Sequence, residues 1–410
     1  MTLRELAETT PAARDRYVDF LRAASILAVV VGHWFIGIIW WQQGVIRTTS
    51  AIGETSWMWL ATWFLQVMPV FFFVGGFSNL VSYDAARRRG ETAWSFVRSR
   101  SMRLLKPSAV FLAVWTVVQI ALHLADIGSE HAFLRGMLPP GATVPFGPLW
   151  FLPVYLAIIA SVPGTLWLHR RYGVKVVIGL TLAAFAVDVI GFALHHPGVR
   201  YWNIVFVWLL PHQIGYFYGE GRLDRLRTPA FVAMALAGMA GLLLLTNPPI
   251  FAHHGPEWFS GLRAYPKSLL GTDVEPIANT YPPTIVIVAM TYWAIGVVML
   301  IRAPVARWLS HTRPWMAVIF TNSVIMTLYL WHMTAYLLAV LVLWPLGFGH
   351  QHDTTARWWL ERPLWIGVPG LFLAGLVAVF GRFERPKLRP KPAAATADIA
   401  DVASRRSDVS

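Results

Sequence analysis

The chain contains no cysteine. That excludes disulfide frameworks, thiol nucleophiles and Cys-ligated zinc or iron–sulfur sites. Charge is scarce too. Only 13% of the 410 residues are charged, about half the ~25% of an ordinary soluble domain. No Gly-rich phosphate loop, Ser-centred nucleophile elbow or metalloprotease helix occurs. The neighbouring histidines His195-His196 and His253-His254 lack helical ligand spacing, so no metal is expected there. Apolar surface, by contrast, is abundant. Hydrophobic residues make up 56% of the chain, with 21 Trp, 12 Tyr and 24 Phe. A soluble globule of this size could not hide so much, so the composition implies an integral membrane protein and excludes disorder, collagen and coiled coil.

Ten apolar runs of about twenty residues are expected to cross the bilayer. They span residues 17–41, 57–82, 108–127, 149–170, 174–194, 202–218, 229–247, 280–301, 317–343 and 364–381. The runs are continuous rather than alternating, so the fold class is an all-α polytopic bundle rather than a barrel. With the N-terminus inside, 26 of the 34 Lys and Arg fall on inside segments and 7 on outside loops, with Arg22 at the first boundary. The positive-inside rule then places both termini in the cytoplasm and the chain in the inner (plasma) membrane. The excess of +13 is expected to meet anionic lipid or a cytoplasmic anion, not nucleic acid. Residues 1–381 form the membrane domain on this reading. Residues 382–410, with Pro386, Pro390 and Pro392, form a disordered cytoplasmic tail.

The first span carries the strongest chemical signal: Asp19, Arg22 and His33 in RYVDFLRAASILAVVVGHW. Eleven residues at about 100° each come within about 20° of three full turns. Arg22 and His33 therefore share one helix face, roughly 16 Å apart along the axis. Asp19 lies one turn before Arg22, close enough to orient it. Alone, Arg22 could be a snorkelling residue and His33 a packed core histidine. Paired on one face within a span, they mark a functional site. Asp188, His123, Asp126 and His212 also fall within or at the ends of spans, and structural roles are expected for them. The Gly75-Gly76 pair suits close helix packing.

These residues resemble the membrane acyltransferase-3 family, whose first helix carries an Arg, ten residues and a His after an Asp-x-Leu-Arg sequence. Asp19-Phe20-Leu21-Arg22 and His33 match it. PVFFFVGGF (69–77), RSRSMRLLKP (98–107), LWFLPVY (149–155) and LYLWHM (328–333) resemble further family segments, in the family's order. One departure is Gly75, where the family usually has Ser. The resemblance implies transfer of an acyl group, most often acetyl, from a cytoplasmic acyl-CoA to a hydroxyl on a glycolipid, polysaccharide or other acceptor. Its expected company is membrane lipid and the proteins of envelope synthesis. It implies Trp150 and Phe151 at an acceptor entrance.

The residues supply compatible physics. Arg98, Arg100, Arg103 and Lys106, with no acid among them, are expected to bind the phosphates of the donor, since a guanidinium fork suits phosphate. Each could also be a positive-inside anchor. A neutral His33 can take the proton of an acceptor hydroxyl or carry the acyl group itself, and both mechanisms stay open. His332 is expected at the depth of His33 if their helices are neighbours. Tyr329, one turn earlier, is expected to orient it or donate to the developing oxyanion. The alternative from another class is a multi-span exporter of lipid or sugar.

Overall fold

A computed structural model describes residues 2–11, 14–42, 45–126, 143–246, 265–271, 277–351 and 353–384. The helices among them are α1 Leu3–Glu8, α2 Arg16–Ile36, α3 Ala51–Glu54, α4 Trp59–Leu65, α5 Met68–Arg88, α6 Ala93–Asp126, α7 Phe151–Tyr172, α8 Val174–Asp188, α9 Asn203–Gly219, α10 Thr228–Thr246, α11 Ile285–Leu300, α12 Arg302–Trp308, α13 Thr312–Ser323, α14 Ile325–Leu343 and α15 Ala356–Phe380. Each of the ten expected runs lies on a helix. Eight helical segments among the described residues are long and apolar enough to cross a membrane, and the bent pair α11–α12 makes a ninth, turning by 50°. The chain is thus a polytopic all-α membrane protein.

The differences from expectation have physical causes. The first span stops at Ile36 rather than 41. Gly37 turns the chain into extended backbone, and Gly37–Gln42 (β1) pairs antiparallel with Val45–Ser50 (β2). Ile38, Ile39, Trp40 and Trp41 have high strand propensity, and an apolar run alone does not separate strand from helix. The basic segment 98–107 is not a loop before a helix. α6 begins at Ala93 and passes through Pro107. The run 317–343 is broken at Val324 into α13 and α14. Order also continues past the expected domain edge at 381. Glu384 accepts from the N–H groups of Met326 and Thr327, each at 2.9 Å, and from Thr327 Oγ1 at 2.9 Å. It thereby caps the start of α14, where orphan N–H groups need an acceptor. Burial pushes the Glu384 carboxyl up, against the three donors that pull it down.

α2 joins two apolar clusters. Tyr17, Val18 and Leu21 pack with α5, α7, α9 and α11, whereas Ile26, Val30 and Trp34 pack with α6, α14 and α15. Its C-terminal end is pinned from two sides. Trp34 Nε1 donates to His332 O at 2.9 Å, and Arg362 donates to Phe35 O at 3.2 Å and Gly37 O at 3.0 Å. Asp188, expected to be structural, accepts from Asn203 Nδ2 at 2.8 Å, Tyr265 OH at 2.7 Å and Ile285 N at 2.8 Å.

Gly76 and Gly215 let the backbones of α5 and α9 touch. A Cβ on Gly76 would sit 2.0 Å from His212 O, and one on Gly215 would sit 2.1 Å from Phe73 O. Small residues at such crossings replace the hydrophobic drive that lipid cannot supply. Gly76→Val must push the helices apart. We expect it to cost at least about 1–3 kcal/mol, read as lost yield of monodisperse protein in detergent. Wild-type yield would show the crossing to be looser than described.

Candidate active site

A cavity of about 1440 Å³ runs along α2 and holds both Arg22 and His33 in its wall. The shared face expected from helical spacing is therefore real, since Arg22, Ser25, Val29 and His33 all line it. Its charged lining residues are Arg22, Arg100, Arg103, Lys106, Arg382 and Glu384. All lie at the end where α2 begins.

At that end Arg22 is held in a defined pose. Its Nη1 lies 3.2 Å from Asp19 Oδ1, and its Nη2 donates to Ser78 Oγ at 2.5 Å. Asp19 also pairs with Arg14 at 2.6 Å. Its main-chain oxygen accepts from Asn322 Nδ2 at 2.8 Å. Ser78 was not foreseen as a site residue. It lies about one turn past Gly75, where the family's usual serine is missing. A Cβ at position 75 would stand 3.0 Å from Tyr155.

The basic helix divides sharply. Arg100, Arg103 and Lys106 line the cavity. Arg98 is exposed and lies outside the lining. On a continuous helix it points about 160° from Arg100. Arg100 Nη2 donates to Asn79 Oδ1 at 3.0 Å, which leaves the Asn79 amide nitrogen to donate to His212 Nε2 at 3.0 Å. Thus His212, expected to be structural, braces a cavity residue through Asn79. The Ser78-Asn79 pair follows the GGF motif directly, a polar signal in a span that sequence reasoning passed over. His123 is exposed and outside the cavity, whereas the side chain of Asp126 and the His253-His254 pair lie outside the described residues.

Deeper in, α2 and α14 are neighbours, and His33 meets His332 with ring centroids 5.1 Å apart. His332 is fully buried. Its Nδ1 lies 2.6 Å from Tyr329 O, and its Nε2 lies 3.2 Å from His33 Nδ1. A carbonyl only accepts, so Nδ1 of His332 carries the proton and Nε2 is the acceptor. His33 Nδ1 must then be the donor. The Val29 carbonyl also hydrogen-bonds the His33 ring. With the proton on Nδ1, shared between the Val29 carbonyl and His332 Nε2, the lone pair of His33 Nε2 is left for chemistry. The expectation that Tyr329 would donate to an oxyanion needs correction. Its hydroxyl is already given to Pro148 O at 2.5 Å. Tyr329 acts on His332 through its main-chain oxygen instead. Trp150 and Phe151 both line the cavity, and Phe151 packs edge-on against Tyr329 at 5.8 Å. Among the described residues no cluster of three or more metal-ligating side chains occurs.

Apolar helices around a cavity with a cationic end and two histidines in contact at its wall define a multi-pass membrane protein with an internal chamber. Residues 15–382 match the family model of the acyltransferase-3 proteins, described as an acyltransferase domain. The chain belongs to that family and is a membrane O-acyltransferase in general. Searches of curated proteins and of solved structures found no match.

Proposed function

We propose that the protein transfers an acyl group, in the first instance acetyl, from acyl-CoA on the cytoplasmic side to a hydroxyl of a cell-envelope glycolipid or glycan. The observation that carries this reading is the polarity of one chamber. Its lining cations gather at one end, and His33 stands about 16 Å further along α2. A CoA thioester has the complementary layout, with phosphates at one end and the reactive carbonyl at the end of a long arm. Arg22, Arg100, Arg103 and Lys106 hold the phosphates. His33 Nε2 takes the proton of the acceptor hydroxyl as its oxygen attacks the thioester carbonyl. The C–O bond forms, the C–S bond breaks, and CoA leaves as a thiolate that takes up a proton. If the acyl group rests first on His33, the same lone pair attacks the carbonyl and the hydroxyl attacks second. Both termini lie in the cytoplasm on this reading, and the membrane is the inner (plasma) membrane.

The test uses sealed membrane vesicles of known orientation and radiolabelled acetyl-CoA. Label should enter the lipid and glycan fraction when acetyl-CoA is supplied on the cytoplasmic face. Label that enters only when it is supplied on the opposite face would overturn the assignment of the cationic end. Arg103→Ala is expected to raise KM for acetyl-CoA roughly 10–100-fold, the size of a lost charge-assisted hydrogen bond of about 1.5–3 kcal/mol. Arg98→Ala should leave KM unchanged. Equal effects of the two would return the segment to a role as a general basic anchor.

A further inference from the structure

Past His33 the chamber changes character. Its walls there come from Phe35 and Ile36 of α2, Ile52 of α3, Met58, and Leu65 and Met68 at the start of the second span. No charged residue lines this part. A glycan site in water would need hydrogen-bonding side chains in number, and few are present. Thr62 Oγ1 is occupied, donating to Trp59 O at 2.5 Å and accepting from Leu269 N at 3.1 Å. Gln66 is different. It is only 7% exposed, lines the cavity, and its Nε2 is buried without a hydrogen-bond partner. A buried orphan donor costs about 1–3 kcal/mol, so it asks for an acceptor atom.

The rim of this outer part is apolar as well. Leu65 is 57% exposed and still lines the cavity, and beside it α4 presents Leu60 and Phe64 outward. A membrane protein turns such a face to hydrocarbon rather than water. The exposed apolar side of the chamber is therefore the one beside α4.

We propose that the acceptor is borne on a lipid, with its hydrocarbon chain lying against Ile36, Leu65 and Met68 and its head group held by Gln66 Nε2 on the way to His33. This inference rests on the acyl-transfer reading and narrows it from glycolipid or glycan to the lipid-borne class. An apolar trough with a few convergent polar groups, here Gln66 with Trp150, Thr280 and Tyr281 also in the lining, is the usual form of a site that grips a tail and orients a head. Entry from the side also brings the hydroxyl to the donor without moving a sugar through the bilayer.

The probe is dodecyl β-maltoside carrying a diazirine at the end of its alkyl chain. It is photolysed with the full-length protein in nanodiscs, without acyl-CoA, and adducts are mapped by mass spectrometry. Adducts are expected on Ile36, Leu65 or Met68. Excess unlabelled dodecyl maltoside should lower them about tenfold, and excess maltose should not. Leu65→Trp, which narrows the rim, should lower adducts on Met68 and Ile36 but not those on Leu182 and Leu236, which are exposed on α8 and α10. If this variant does not fold, competition in the wild-type protein decides alone. Adducts confined to residues such as Leu182 and Leu236, or displaced equally by maltose, would overturn the proposal. Because no acyl-CoA is present, labelling is independent of the chemistry. A failed transfer assay with positive labelling removes the catalytic reading alone, and the reverse removes the lipid acceptor alone.

Discussion

Replacing His33 by alanine is expected to lower the turnover of acyl transfer by roughly 10²–10⁴, the range for a lost general base. That corresponds to about 3–5.5 kcal/mol of barrier. KM for acetyl-CoA should stay within about twofold, because the cations that hold its phosphates lie some 16 Å away at the other end of the chamber. His33→Gln should be nearly as poor, since an amide fills the space without a basic nitrogen. The measurement is steady-state transfer of radiolabelled acetate by purified protein in nanodiscs, with both constants determined for each variant. A fall confined to KM would make His33 a binding residue. Turnover within tenfold of wild type would remove it from the chemistry. Acid quenching of the wild-type reaction separates the two mechanisms. Acetate that remains on the peptide containing His33 marks a covalent intermediate, and its absence during turnover marks direct transfer.

The sequence carried this much of the site because helical geometry is rigid. Eleven residues fix the relative azimuth of Arg22 and His33 whatever surrounds them, and both line one cavity. Contacts between helices are another matter. Ser78 reaches Arg22 across 56 positions of chain, and His332 reaches His33 across 299. Nothing in either local pattern states the partner. The basic segment shows a third kind of limit. The third run was expected to begin at residue 108, just past Pro107, and proline costs a main-chain hydrogen bond within a helix. α6 nevertheless passes through it. That continuity turns Arg98 away from the cavity that Arg100, Arg103 and Lys106 line. The break at Val324 is a different case. The run 317–343 does carry a local mark, Thr321-Asn322-Ser323 just before the break, but the group that receives the freed N–H groups is Glu384, sixty residues beyond. An apolar run reports depth in the bilayer, while the breaks that shape a site report distant partners.

His332→Ala is expected to lower turnover about tenfold to a hundredfold, through position rather than chemistry. His332 gives its Nδ1 proton to Tyr329 O and so keeps Nε2 as an acceptor, 3.2 Å from His33 Nδ1. Without that acceptor the His33 ring keeps only its hydrogen bond to the Val29 carbonyl, and the preference for a proton on Nδ1 weakens. In the other tautomer Nε2 carries the proton and cannot receive one from the hydroxyl. A wrongly oriented or wrongly protonated base forfeits most of what a general base contributes. His332→Gln tests the idea against simple loss of packing. Its side-chain oxygen can accept from His33 Nδ1, so it should recover several-fold more turnover than alanine, although its shape differs from imidazole. KM for acetyl-CoA should not move in either variant. Trp34 would still donate to the main-chain oxygen of residue 332, which keeps α2 and α14 joined. A structural role alone would make alanine and glutamine equally damaging, with thermal stability falling in step with activity. Recovery by glutamine at matched stability would place the second histidine behind the first as the group that decides which nitrogen faces the acceptor.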